Sequence, residues 1–135
     1  MPIKSFRGML GDGDIDIISL HTNTGSTGYR IIKFQTFAND VTLKVQESVM
    51  KIFKIPQTTT SVSATVDFND NTLLGVSYWK SHEDAATMFQ TSTIFDNEIF
   101  NQDIYVTHKD GQTGESCNYY IELEQIKLDL TENTV

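Results

Sequence analysis

Carboxylates are where any chemistry in this chain would start, because they gather in three short stretches. In Asp12-Gly13-Asp14-Ile15-Asp16 the acids stand at alternate positions, the spacing that opens a calcium-binding loop. The rest of that loop fails, since Ile17 stands where the turn glycine belongs and Asn23 where the bidentate glutamate belongs. Asp67-Phe68-Asn69-Asp70-Asn71 is equally rich in oxygen, yet Thr72 and Tyr78 occupy the corresponding places. Asx turns and helix caps use the same side chains without a metal, and that is the expectation here. Asp96-Asn97-Glu98, with Asn101 and Asp103, lies between the apolar pairs Ile94-Phe95 and Ile99-Phe100. Two neighbouring carboxylates can share acid and base roles in glycoside cleavage, but at a strand-to-strand turn they satisfy backbone groups instead.

Other reactive types are sparse. His21, His82 and His108 fall at loops or strand ends and lack ligand spacing such as His-x-x-x-His. There is no Gly-x-Ser-x-Gly elbow, and Gly25-Ser26-Thr27-Gly28 lacks the lysine of a phosphate-binding loop. Cys117 is the only cysteine, so no intrachain disulfide can form; its place on the inward face of an alternating run suits a buried small apolar residue. Tyr78-Trp79 and Tyr119-Tyr120 offer rings for stacking on a sugar, although alternation turns one member of each pair inward. No catalytic, cofactor or metal site is expected from these residues, and the chain is expected not to be an enzyme.

The elements that hold these residues read as strands. Thr, Val, Ile, Phe and Tyr are spread through 135 residues, and no long stretch repeats apolar residues at helical spacing. Residues 3–10 form a short mixed segment before Gly11-Asp12-Gly13, and residues 1–13 are a candidate N-terminal arm. Strands are expected over Asp14–Leu20, Tyr29–Phe37, Val41–Val45, Val49–Ile55, Val62–Phe68 and Thr87–Phe95, with Leu73–Trp79 ambiguous between a helical turn and a strand. The clearest pattern is Cys117, Tyr119, Ile121 and Leu123 on one face of a strand. With the run Ile94–His108 it predicts a long hairpin whose loop is Lys109–Ser116. Roughly eight to ten strands of this kind predict one all-β domain over residues 1–135, an antiparallel β-sandwich, with a jelly roll as one form of it.

Acidic residues exceed basic ones by 18 to 10, for a net charge of -8, which disfavours nucleic acid and anionic lipid as partners. No apolar run reaches the length of a membrane span or a signal peptide, so neither a membrane partner nor cleaved-signal secretion is expected.

Three segments are distinctive as a set: Gly28-Tyr29-Arg30-Ile31-Ile32-Lys33-Phe34-Gln35, Phe95 to His108, and Cys117-Asn118-Tyr119-Tyr120-Ile121-Glu122-Leu123-Glu124. Together with Phe6-Arg7-Gly8-Met9-Leu10 they resemble a family of small virion structural proteins of marine tailed phages. That resemblance implies a capsid decoration or cement subunit on the virion exterior, held in the host cytoplasm before assembly. Its implied partners are the phage major capsid protein and further copies of itself, a trimer being the favoured assembly. The hairpin loop, through Lys109, Asp110, Gln112, Thr113 and Glu115, and the ring of Trp79 are the candidate contact surface. The alternative is a carbohydrate- or receptor-binding sandwich of a phage tail or fibre, with Tyr78, Trp79 and the loop after Tyr105 as its face.

Overall fold

The computed structural model describes residues 2–20, 26–43, 45–82, 87–95, 98–112 and 114–128, except the side chains of residues 82, 87 and 88. Eight strands follow in order: β1 (Ile3–Leu10), β2 (Ile15–Ile18), β3 (Thr27–Ala38), β4 (Gln46–Phe53), β5 (Leu73–His82), β6 (Thr87–Ile94), β7 (Ile104–Asp110) and β8 (Cys117–Lys127). They make a three-stranded sheet, β1-β8-β3, and a five-stranded sheet, β2-β7-β4-β5-β6, antiparallel throughout. The two sheets pack face to face on a core that includes Phe34, Met50, Ile52, Ile104, Ile121 and Leu123.

The winding is that of a jelly roll, in which the chain acts as one ribbon folded double, so that early strands lie beside late ones. Ladders join β1 to β8, β2 to β7 and β4 to β5. The remaining pair, β3 with β6, is not a ladder. Gln90 of β6 instead donates through Nε2 to the Thr36 carbonyl of β3 at 2.5 Å, which ties the two sheets together along that side.

The expected hairpin is therefore corrected. β7 pairs with β2 and β4, β8 pairs with β1 and β3, and the chain passes from one sheet to the other between Asp110 and Cys117. Alternation reports which face of a strand is buried, not which strand lies beside it, and two packed sheets each need such a strand. Asp110 sets the crossing: its carboxylate accepts the N–H groups of Glu47, Gln112 and Glu115 at 2.8–3.1 Å.

Other elements differ as well. Residues 3–10, read as a mixed segment within a candidate arm, are strand β1 and pair with β8 along their whole length. Val41 to Leu43 form a turn closed by Thr42 N–H on the Asp40 carboxylate, not the start of a strand. Val62–Phe68 is not a strand either: it belongs to an excursion, residues 54–72, over the outer face of the five-stranded sheet. The ambiguous Leu73–Trp79 is the start of β5. In β3 the register shifts between Ile31 and Lys33, and this bulge is what lets Tyr29, Ile31, Phe34, Thr36 and Ala38 all face the core.

Candidate functional site

β8 turns Cys117, Tyr119, Ile121 and Leu123 into the core, so Asn118, Tyr120, Glu122 and Glu124 stand on the outer face of the three-stranded sheet. Cross-strand pairing then fixes their neighbours. Met9, Asn118 and Phe37 form one row, and Arg7, Tyr120 and Gln35 the next. With Gln90 reaching over from β6, these side chains line a groove of about 680 Å³. Its floor is close-packed, because an added Cβ at Gly8 would meet the Tyr119 ring at 2.9 Å. The Tyr119 hydroxyl donates to Asp16 at 2.8 Å from beneath.

The groove combines amides (Gln35, Gln90, Asn118), apolar and aromatic groups (Met9, Phe37, Tyr120) and one cation, Arg7, with no carboxylate in its lining. Met9 and Phe37, on either side of Asn118 in one row, are each more than half exposed. The Tyr120 hydroxyl donates to Glu122 at 2.5 Å, and this bond is the main reason its phenol titrates above the ordinary value. Lys33 lies 5.9 Å from the centre of the same ring. Phe37 leans on Trp79, with ring centroids 5.5 Å apart.

A second cavity, of about 330 Å³, lies under the excursion and is lined by Lys51, Phe53, Ser63, Asp67 and Asp70 among others. The Lys51 ammonium is buried there, donates to the Thr65 carbonyl at 2.8 Å, and sits 5.6 Å from the centre of the Phe53 ring. Burial holds its pKa below the usual lysine value, against the opposing pull of Asp70. Asp67 and Asp70 themselves close Asx turns on Asn69 and Thr72, as expected from their spacing.

The remaining candidates are dispersed. Asp12 accepts from Asp110 N–H, Asp14 from Gly11 N–H and Asp16 from Tyr119, so the three acids do not converge. Among the described residues no group of three His, Cys, Asp or Glu side chains is placed to hold a metal. Asp96 and Asn97 lie outside the described residues; Glu98 pairs with Lys54 at 3.5 Å, and Asp103 accepts from Leu20 N–H at 2.9 Å. His21 and the side chain of His82 also lie outside them. His108 is buried, with Nδ1 3.0 Å from the Gly11 carbonyl and Nε2 2.9 Å from Ser48 Oγ. Cys117 is buried, and desolvation pushes its thiol up to about 11.

The expected contact surface is divided by the structure. Gln112 is exposed, Glu115 and Lys109 are half-buried, and Lys109 pairs with Asp12 at 3.5 Å. Thr113 lies outside the described residues. Asp110 and Trp79 must be withdrawn from it, since the crossing loop buries the first and the sheet packing buries the second. Tyr78 is on the outer face of the five-stranded sheet, so it shares no aromatic face with Trp79. Sequence reasoning missed the groove because its residues come from four strands; the outward position of Tyr120 was the one available signal.

Comparison with known proteins adds no relative. No family model, no curated protein and no solved structure matches the chain.

Proposed function

We propose that this chain is a non-enzymatic phage virion structural protein, a decoration or cement subunit that docks on the assembled shell through the outer face of its three-stranded sheet. The observation that carries the docking face is the groove between Arg7, Phe37 and Tyr120, with Met9 and Phe37 exposed beside it. Exposed apolar side chains interleaved with amides are the composition of a recognition surface, and repeated weak contacts on a lattice add up to firm attachment. The resemblance to virion proteins of marine tailed phages supplies the partner, the major capsid protein. The acidic surface, net charge -8, suits the exterior of a DNA-filled shell better than its interior. The test is to add the purified chain and its Phe37→Asp variant to shells lacking it: the wild type sediments with the shells and the variant stays in the supernatant. Equal recovery of both would remove the groove from the docking role, and failure of the wild type to bind would sink the virion reading.

A second reading, a carbohydrate-binding module, is favoured by one feature of the same groove. Amides beside Tyr120 and Phe37 are the groups that stack on and hydrogen-bond a saccharide. Glycan-array binding lost on Tyr120→Ala would promote this reading over the first.

A further inference from the structure

A sandwich of two open sheets has four edges, and an unprotected edge is a template for another strand. On one side of this molecule β3 and β6 lie against each other, tied by Gln90 and Thr36, and the start of β3 is covered by a two-bond bridge between Tyr29 and Phe100. On the other side β2 is four residues long, whereas β1 runs for eight. β1 is thus the long edge that no described residue covers.

Its polarity follows from one bond. The Pro2 carbonyl accepts from Gln125 N–H, so Pro2 faces β8, and antiparallel alternation turns Lys4, Phe6, Gly8 and Leu10 the same way. The N–H and C=O groups of Ile3, Ser5, Arg7 and Met9 therefore point outward along the free edge. Their side chains stand on the outer face of the sheet, in the rows of Glu124, Glu122, Tyr120 and Asn118.

We propose that β1 pairs antiparallel with β1 of a second copy across a two-fold axis at Phe6, joining the two three-stranded sheets into one. In this register Ile3 lies opposite Met9 of the second copy and Ser5 opposite Arg7, and about eight backbone hydrogen bonds form. The pairing has chemical sense at each position. Ile3 and Met9, both more than half exposed in the single chain, cover each other. The small Ser5 lets the Arg7 guanidinium of the second copy extend over it toward Glu122, the next residue in that row. Arg7 makes no ion pair among the described residues of its own chain. No cation faces a cation, since Lys4 lies opposite Gly8 and its ammonium is already held 5.8 Å from the centre of the Tyr29 ring. A register two residues on would set Arg7 against Arg7 and shorten the overlap, so this one is selected. The result is a two-fold dimer in place of the expected trimer, and it does not depend on the virion reading.

The test is sedimentation equilibrium of the full chain over a concentration series. The wild type approaches twice the 15.2 kDa chain mass, and Ser5→Pro sediments at once that mass. Proline at position 5 removes an outward N–H and no backbone bond to β8, and an unchanged circular dichroism spectrum checks that the fold survives the loss of the Ser5 side chain. A charge pair gives an independent readout: Arg7→Glu dissociates the dimer by setting its carboxylate beside Glu122, and Arg7→Glu with Glu122→Arg restores it. A monomeric or trimeric wild type, a dimer that survives Ser5→Pro, or a failed charge restoration in a folded protein would overturn the proposal.

Discussion

At the scale of single residues, the end of the sandwich near the crossing loop is held by a buried polar chain whose proton order can be derived. Gln46 Nε2 donates to Ser48 Oγ at 2.9 Å, and the Gly11 carbonyl can only accept from His108 Nδ1. His108 in its neutral form therefore carries its proton on Nδ1, and Nε2 accepts from the Ser48 hydroxyl. Ser48→Ala leaves Nε2 buried and without a partner, and the expected cost is about 1–3 kcal/mol in denaturant unfolding. Tyr119 gives a pH signature of its own. Burial first, and then its bond to Asp16, raise its phenol above the unfolded value. A raised pKa means that its contribution to stability is fully present below the unfolded value, about pH 10, and is lost as pH rises beyond it toward the folded value. Unfolding midpoints measured from about pH 9 to pH 11 should fall more steeply for the wild type than for Tyr119→Phe.

At the scale of elements, the period-2 pattern of β8 and the fold class were legible, because burial of one face writes itself into sequence. Partnership was not. Nothing in Cys117–Leu123 distinguishes a hairpin from a strand of the opposite sheet, and the order of the sheets is a property of the winding. The strict alternation of Val62, Ala64, Val66 and Phe68 misled for a related reason: no strand offers that segment a ladder, and Val66 and Phe68 stay exposed. What holds the segment is a side chain, Lys51, reaching from β4 to the Thr65 carbonyl. The groove was partly legible, since alternation put Tyr120 outward, but its other walls depend on which strands flank β8. Lys51→Met separates anchoring from stability. It removes a desolvated cation, which offsets the lost bond, so the unfolding midpoint should change little. Amide hydrogen exchange across residues 58–68 should nevertheless quicken by roughly tenfold, because local opening there no longer has to break that bond. Unchanged exchange would show that the excursion is held by its own turns.

At the scale of the whole molecule, β8 decides when the fold can exist. It is the central strand of the three-stranded sheet, and both of its neighbours come from the first third of the chain. Neither β1 nor β3 has another ladder in that sheet, so it cannot begin to form until the two ends of the chain meet. The same holds for β2, whose ladder is with β7. Closing loops of that length costs chain entropy before any contact repays it, and topologies of this type refold in roughly milliseconds to seconds or more slowly, not in microseconds. Trp79 is the one tryptophan and is buried against Phe37, so its fluorescence reports docking of β5 on β3 without any label. Stopped-flow refolding followed by Trp79 should show its main phase in that slow range. Ile121→Ala, in the fully buried middle of β8, should lower stability by about 2–5 kcal/mol. If joining the chain ends is the limiting event, much of that loss appears as slower folding, because β8 must already be in place at the barrier. A loss carried entirely by faster unfolding would mean that the five-stranded sheet forms first and β8 docks afterwards.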